Sequence, residues 1–277
     1  MAMRLITLGT SPADAGTPAG NTIYGIDSIQ YLRWYQYLGD GESNPTPGLS
    51  GWDAHSGNPI GNGWQAITWF QLGTAGTLMA IHDDGGLYWY RYTGDGRANP
   101  SGGYGWDPLA GTKIDDGWGD YQHVMMFYND GDEVIMLTVD ASGKMLSHFY
   151  IHGQGWQPEF ATELPGDWSG FSRLIATTST IFGVQDDGNL YWYQPQWTGS
   201  PPVWTMAANS GNQIGTGWDS LRQLVVGGLD DPSRQLHPTL VGVDHAGQLR
   251  WFRYTGAGSG AGADWGPNSG NFVSGSW

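Results

Sequence analysis

The chain of 277 residues carries a formal net charge of −15, with 11 basic and 26 acidic side chains. Such a surface repels phosphate backbones and anionic lipid headgroups, so we expect no nucleic-acid partner, although the acidity also serves to keep a tryptophan-rich protein soluble. The chain has 0 cysteines, which excludes disulfides, thiolate metal sites and a cysteine nucleophile. Its 46 glycines and 14% aromatic residues favour many short strands joined by tight turns over a disordered chain.

No segment for targeting or membrane insertion is predicted. The start, MAMRLITLG, lacks a basic segment followed by a long apolar run, so we expect no signal peptide. No apolar run approaches the ~20 residues that a transmembrane helix needs. The expected protein is a monomer that is cytoplasmic or exported without a signal peptide.

In chain order, the sequence consists of five similar units of four strand-like pieces. The first piece is aliphatic and covers residues 3–8, 66–72, 121–128, 171–177 and 221–227. The second, rich in β-branched residues, begins at Thr22, Thr77, Val134, Thr180 and Thr239. In most units a turn such as DDGG follows, in which Asp and Gly supply the backbone angles of tight hairpins. The third is an alternating aromatic strand that begins at Leu32, Leu87, Leu146, Leu190 and Leu249.

Two tryptophans frame the fourth piece of every unit. The closing tryptophans end motifs such as GNPIGNGW and are Trp64, Trp118, Trp168, Trp218 and Trp277. They are spaced 54, 50, 50 and 59 residues apart. The preceding tryptophans lie 12 or 14 residues earlier and are Trp52, Trp106, Trp156, Trp204 and Trp265. A fixed period near fifty residues indicates one supersecondary unit repeated along the chain.

Five four-stranded units predict an all-β fold, a five-bladed β-propeller of antiparallel blades in one domain of residues 1–277. The ring is expected to be closed by the N- and C-terminal segments. The strand at 3–8 starts the first blade or completes the last one as a closing strap; the sequence leaves both open. Residues 10–21 are expected to form a small-residue loop between two strands, or else a disordered tail.

The motifs resemble those of the tachylectin-2 type lectins. IGNGW, IDDGW and IGTGW, each preceded by a tryptophan and followed by an aromatic-aliphatic strand, are similar to the repeated W…IGxGGW unit of that family. This chain differs in having one glycine before most closing tryptophans, and in a third unit that reads LPGDW. The resemblance implies a five-bladed propeller that binds N-acetylated sugars such as N-acetylglucosamine or N-acetylgalactosamine, one at each blade interface.

Sugar recognition needs an aromatic ring against the apolar face of the sugar and polar groups for its hydroxyls. We therefore predict a multivalent carbohydrate-binding protein whose repeated sites consist of Trp52, Trp106, Trp156, Trp204, Trp265, Asn58, Thr112, Asn212 and Asn271. Blade packing for the tryptophans and local turn bonds for the asparagines remain open alternatives. The third unit, which has His148 where the other units have tryptophan, is the expected degenerate site.

Other functions are weighed against this one. A glycoside hydrolase needs two carboxylates ~5–9.5 Å apart in one cleft, and the four glutamates show no such arrangement, so we expect no enzymatic activity and no cofactor. Asp40, Glu42 and Asn44 resemble a calcium loop, but the equivalent loop has Arg97 in its middle, so a turn is favoured and no metal is expected. A propeller that binds a protein partner remains an alternative because fold does not fix function.

Overall fold

A computed structural model describes residues 2–9, 22–41, 51–99, 103–199, 201–227, 237–259 and 264–277. The described chain is all-β: five antiparallel sheets form a five-bladed β-propeller, as the sequence predicts. Two compact units can be distinguished. One comprises Met1–Gly119, Leu221–Tyr254 and Gly266–Trp277, and the other Asp120–Ser220 and Thr255–Trp265. That all five repeats form a single domain stays a prediction.

Three sheets belong to the first unit. The first blade consists of β1 (Met3–Gly9), β2 (Thr22–Asp27), β3 (Leu32–Gln36) and β4 (Asn58–Gly61). The second consists of β5 (Ile67–Leu72), β6 (Thr77–His82), β7 (Leu87–Arg91) and β8 (Thr112–Asp115). The fifth consists of β20 (Leu221–Gly227), β21 (Thr239–Asp244), β22 (Leu249–Arg253) and β23 (Asn271–Ser274). In each, the four predicted pieces pair in chain order.

The other unit holds the third and fourth blades, which depart from this pattern. The third consists of β9 (His123–Asp130), β10 (Glu133–Val139), β11 (Met145–Ile151) and two short strands on β11, β12 (Gly155–Trp156) and β13 (Glu163–Leu164). The fourth consists of β14 (Phe171–Thr177), β15 (Thr180–Gln185), β16 (Leu190–Tyr193) and β19 (Asn212–Gly215). A separate hairpin, β17 (Pro195–Thr198) and β18 (Val203–Met206), lies between β16 and β19 in sequence.

The described residues contain only short 3₁₀ helices, Trp64–Ala66, Trp118–Asp120, Pro158–Phe160 and Trp218–Ser220. None of the helices in the described ranges is long and apolar enough to cross a membrane.

The position of β1 decides between the two predicted phases. β1 pairs with β2, with Ile6 opposite Gly25, so the strand starts the first blade. Arg222 of the fifth blade donates hydrogen bonds to the backbone carbonyls of Met3 (3.4 Å) and Trp277 (2.7 Å), which joins the first and last described strands. The loop predicted at residues 10–21 lies outside the described residues.

The hairpin turns form for the reason the sequence gives. The Asp84 carboxylate accepts a hydrogen bond from the backbone N–H of Gly86 at 2.8 Å, and Asp244 accepts one from Ala246 at 2.9 Å. Such a bond to the backbone two residues later fixes the turn between the second and third strands. The second strands are almost completely buried, whereas the third strands alternate between buried and half-buried residues.

In the first compact unit, neighbouring blades are joined by a glycine that lies on a buried tryptophan. Gly96 has φ +74°, and a Cβ at this position would overlap the ring of Trp34 in the preceding blade. Because the Asn58 side chain donates a hydrogen bond of 3.0 Å to the carbonyl of the same glycine, the loop is held flat against the indole. Gly41 on Trp251 repeats this arrangement.

Candidate functional site

The closing tryptophans are buried, as their packing role predicts. Their exposed fractions are all 7% or less, from Trp168 at 1% to Trp64 at 7%. The preceding tryptophans are half-buried, except Trp204, which is 7% exposed. Trp106 and Trp265, two of the preceding tryptophans, each lie against the closing tryptophan of the blade before them. The ring centroids are 5.7 Å apart for Trp64 and Trp106, and 5.2 Å for Trp218 and Trp265.

Trp52 and Trp106 have matching aromatic surroundings. Trp52 lies 5.8 Å from the closing Trp277, and Trp106 lies 5.7 Å from the closing Trp64. A tyrosine of the third strand adds an edge-on contact in each case. Tyr35 is 6.1 Å from Trp52 at 77°, as Tyr90 is 6.2 Å from Trp106 at 74°.

The indole N–H groups distinguish the two tryptophans. Trp106 donates its N–H to the backbone carbonyl of Ile60 at 2.7 Å, and Trp265 donates to Ile214 at 3.0 Å. Trp52 has the same ring contacts, but its buried N–H has no hydrogen-bond partner. An unsatisfied buried donor costs about 1–3 kcal/mol, so Trp52 lacks a stabilising contact that Trp106 and Trp265 have.

Trp204 and Trp156 contact other residues of the second compact unit, to which both belong. Trp204 donates its N–H to the hydroxyl oxygens of Thr162 at 2.9 Å and Ser147 at 3.2 Å. Trp156 lies in β12 and contacts Tyr150, with ring centroids 5.2 Å apart.

The predicted asparagines hold neighbouring loops. Asn58, Asn212 and Asn271 donate to the backbone carbonyls of Gly96 (3.0 Å), Gly258 (2.6 Å) and Gly41 (2.9 Å). Thr112, exposed at the start of β8, donates instead to the carbonyl of Leu109 at 2.6 Å within its own turn. These contacts are structural ones that the sequence does not reveal, and the predicted role of these four residues in sugar binding stays a prediction.

A cavity of ≈410 Å³ adjoins Trp52, between the first and fifth blades. The aromatic rings on its wall are those of Tyr35, Trp52 and Trp277. Its polar side chains are Asp53, Ser56, Ser274 and Ser276. This volume lies within the ~300–1,000 Å³ range of small-molecule sites, and the combination of apolar rings with a few polar groups is typical of them.

Two residues of the fifth repeat that differ from the first repeat lie on the cavity wall. The first repeat reads IGNGW and the fifth reads VSGSW, so Ser274 stands where the first repeat has Gly61. A Cβ at Gly61 would lie 2.8 Å from the Trp64 ring nitrogen. Ser274 carries a Cβ at that place, yet Trp277 lies 5.8 Å from Trp52, much as Trp64 lies 5.7 Å from Trp106.

Ser276 adds a second departure. It has φ +68°, in the left-handed region, where Gly63 stands in the first unit and Gly217 in the fourth. A non-glycine residue in this region costs roughly 1–2 kcal/mol, and such strain clusters at functional sites. The side chain that accepts this strain lines the Trp52 cavity.

The ionisable side chains on the cavity wall are a tyrosine, Tyr35, and a carboxylate, Asp53. Burial raises the pKa of Tyr35 to about 12, an effect that Arg33 opposes and Asp27 reinforces. Its hydroxyl therefore remains protonated at neutral pH. Asp53 accepts a hydrogen bond from the backbone of His55 at 2.7 Å, and its carboxylate lies 3.4 Å from the His55 ring nitrogen. Ser56 exchanges hydrogen bonds with the backbone of Gln36, so its hydroxyl is largely engaged in the fold.

Of the predicted site residues, Trp52 lies on the cavity wall, and Asn58 and Asn271 do not. Tyr35, Asp53, Ser274 and Ser276 were missed. The signal for the two serines is their departure from glycine in the repeat, which becomes visible when the five units are aligned against one another.

The calcium-loop alternative is tested only in part. Glu42 and Asn44 lie outside the described residues. In the equivalent loop of the second blade, Arg97 forms an ion pair with Asp95 at 3.0 Å, which is a turn contact.

Comparisons with known proteins support the fold. No protein-family model matches this sequence. No curated protein is similar to it. A mutant of AofleA from Arthrobotrys oligospora superimposes with a TM-score of 0.51 at 10% identity, covering 99% of this chain and 88% of that chain. A mutant of Aleuria aurantia lectin in complex with α-methyl-L-fucoside has a TM-score of 0.46 at 13% identity, covering 96% and 79%.

Not every similar structure is a lectin by description. Human WBSCR16 has a TM-score of 0.39 at 12% identity, covering 99% of this chain and 67% of that chain. At 10% identity the likeness to the AofleA mutant supports the β-propeller fold alone. The tachylectin-2 type, which the motifs resemble, is not shown by these comparisons and stays a prediction.

Proposed function

We propose that this protein is a carbohydrate-binding lectin without catalytic activity, and that the cavity at Trp52 binds a sugar. The observation that carries the proposal is a cavity of ≈410 Å³ walled by the rings of Tyr35, Trp52 and Trp277. The rings offer apolar surface to the C–H face of a pyranose. The hydroxyls of Ser274 and Ser276 and the Asp53 carboxylate supply the few directional contacts that fix its hydroxyls.

The sugar we expect is N-acetylated, such as N-acetylglucosamine or N-acetylgalactosamine, which rests on the tachylectin-2 resemblance. The methyl of an acetamido group suits an aromatic wall, and the serine hydroxyls on that wall are suitable donors for its carbonyl. L-fucose, present in the complex of the Aleuria lectin, is the necessary comparison sugar.

Multivalency is part of the proposal. Repetition of the tryptophans supports up to five related sites, each with an affinity in the ~mM range. Simultaneous contact with a surface of many sugar ends would raise avidity by ~10²–10⁴. We expect the Trp52 site to be the strongest, because three aromatic rings and the side chains of Asp53, Ser274 and Ser276 meet at its cavity.

A propeller hydrolase is the weaker alternative. A glycosidase needs a pair of carboxylates on either side of the scissile bond. Among the described residues that line the Trp52 cavity, Asp53 is the single carboxylate. A protein-binding propeller would be favoured if every sugar tested failed to bind.

The test is calorimetric titration with N-acetylglucosamine, N-acetylgalactosamine, L-fucose and galactose. We expect saturable binding of an N-acetylated sugar and a loss of at least about tenfold in affinity for Trp52→Ala. Trp106→Ala is the matched control and should keep affinity within about twofold. Binding of L-fucose alone would refute the expected specificity and keep the lectin. Binding that is equally weakened by both variants would refute the Trp52 site.

A further inference from the structure

A second cavity, of ≈190 Å³, lies between the third and fourth blades and differs in chemistry from the Trp52 cavity. Five aromatic rings line it, those of Tyr128, Phe149, Phe160, Trp197 and Trp204. Glu133 and His148 are also on its wall. A cavity of about 150 Å³ suffices for a benzene molecule, so this one has room for a group the size of tetramethylammonium.

One wall of the cavity is formed by the β17–β18 hairpin of the fourth repeat. Trp197, in β17, is one of two tryptophans that stand outside the repeat pattern. Its side chain is 43% exposed although it contacts other rings, so part of its face is open. The hairpin therefore presents a partly open indole beside the cavity.

The rings are set at steep angles to one another, which gives the cavity aromatic faces on several sides. Trp197 and Trp204 have centroids 5.3 Å apart at 58°, and Tyr128 lies 6.4 Å from Trp197 at 72°. Phe149 and Phe160 meet at 68° with centroids 5.2 Å apart. Each face carries the negative part of a ring quadrupole.

Several neutral polar side chains on the wall already form hydrogen bonds within the protein. The Trp204 N–H is bonded to Thr162 and Ser147, and the Ser147 hydroxyl donates to the Phe160 carbonyl at 3.1 Å. The His148 ring nitrogen is 2.9 Å from the Thr138 hydroxyl. A sugar, which needs several free donors and acceptors, is therefore poorly served here.

The charge at the cavity is negative. Glu133 is exposed at the start of β10, and Asp130 and Asp132 share its hairpin. Their field reaches the wall, since the pKa of Tyr128 is raised first by burial and then by Asp130 and Glu133. Among the described residues that line the cavity, none is a lysine or arginine.

We infer that this cavity binds a quaternary ammonium group, such as that of choline or a trimethylated lysine. Aromatic faces attract a cation, and a nearby carboxylate adds to that attraction. A methylated ammonium has no N–H to satisfy and is weakly hydrated, which matches a wall made mostly of aromatic rings with the Glu133 carboxylate beside them. A primary ammonium would lose its water without replacement and should bind less well.

The experiment is a calorimetric titration of the full chain with choline up to about 20 mM, a range suited to weak binding. Two further probes decide the chemistry: 3,3-dimethylbutan-1-ol, the neutral isostere of choline, and ethanolamine, its primary ammonium analogue. We expect choline to bind at least about tenfold more tightly than either probe. Equal binding of choline and the neutral isostere, or no binding of choline, would overturn the proposal.

Variants locate the site. Trp197→Ala should weaken choline binding by about tenfold, and Trp197→Phe should restore part of it. Glu133→Gln should weaken binding by about threefold, whereas Glu163→Gln, which changes a glutamate paired with Lys144, should not. Near-ultraviolet circular dichroism checks that each variant is folded.

This inference stands or falls separately from the sugar site. Trp52→Ala should weaken sugar binding by at least about tenfold and leave choline binding unchanged, and Trp197→Ala should do the reverse. If Trp52→Ala removed choline binding, choline would be bound at the Trp52 cavity, and the assignment to the Trp197 cavity would be wrong.

Discussion

Trp52 and Trp106 occupy the same place in two repeats and differ in one hydrogen bond. Their contacts with a closing tryptophan and with a third-strand tyrosine agree to within 0.1 Å in centroid distance. Yet Trp106 donates its N–H to Ile60, whereas the N–H of Trp52 is buried without a partner. Identical packing therefore coexists with different capacities to bind a ligand.

The difference originates in the motif of the preceding blade rather than in the tryptophan itself. Trp106 packs against IGNGW and Trp52 packs against VSGSW. The two serines at glycine positions line the cavity of ≈410 Å³ beside Trp52. A repeat can thus gain or lose a binding site through substitutions at residues other than the tryptophan that contacts the ligand.

Introducing the serine into the first unit is the strongest way to break the comparison. In Gly61→Ser the new Cβ would lie 2.8 Å from the Trp64 ring nitrogen, so Trp64 must move. We expect the free energy of unfolding to fall by about 1–3 kcal/mol, as in other overpacked cores, measured by urea denaturation.

The reciprocal variant provides the control. Ser274→Gly should leave stability nearly unchanged and weaken sugar binding, because it removes a hydroxyl from the cavity wall. If Gly61→Ser left stability unaltered, the glycine would not be what keeps the first interface closed.

Replacing each indole by phenylalanine isolates the N–H. Trp106→Phe leaves the Ile60 carbonyl without its donor, so we expect a loss of about 2 kcal/mol in the free energy of unfolding beyond the change in ring size. Trp52→Phe removes a donor that has no partner, and its loss should be smaller by about 1–2 kcal/mol. Equal losses, measured by urea denaturation, would mean that the Trp52 N–H is satisfied in solution.

The fold could be predicted because its signals are local and repeated. Hairpin turns need Asp and Gly, buried strands need β-branched residues, and each of these recurs in every unit, so the errors of single assignments cancel. The third and fourth blades differ from the predicted pattern of four strands in chain order, and these are the two repeats whose sequences are least regular. The β17–β18 hairpin replaces a loop, and the sequence PQWTGSPPVW gives no turn signal that distinguishes it from the loops of other units.

The site was less predictable because it depends on partners distant in sequence. That Asn58 bonds Gly96, and that Trp106 rather than Trp52 finds a carbonyl, are facts of blade packing. A residue-type argument treats all five preceding tryptophans alike. Only the comparison of their surroundings separates them.

The pH dependence of stability tests the burial of the ring beside Trp52. The pKa of Tyr35 is about 12 in the folded protein against about 10 for an exposed tyrosine, so the unfolded chain ionises first. The contribution of this residue is complete below pH 10 and is lost as the pH rises towards 12.

Between pH 9 and pH 11, we expect the free energy of unfolding of Tyr35→Phe to fall by about 1 kcal/mol less than that of the parent protein. The measurement is urea denaturation at each pH. Tyr31→Phe, which changes a nearby tyrosine outside the cavity wall, is the control. Sugar affinity should be constant from pH 6 to pH 9, because the hydroxyl stays neutral; a change in that interval would point to another titrating group.

Relieving the strain at Ser276 is the smallest change and separates stability from binding. Glycine removes a cost of about 1–2 kcal/mol at φ +68° but adds about 0.5–1 kcal/mol of chain entropy, so Ser276→Gly should stabilise the fold by less than about 1 kcal/mol. Ala75→Gly is the matched control, since Ala75 has φ +52° in an exposed turn. Both variants should unfold at slightly higher urea concentration, and only Ser276→Gly should weaken sugar binding, because only Ser276 lines the Trp52 cavity. If both left the sugar affinity unchanged, the strained serine would have no part in the site.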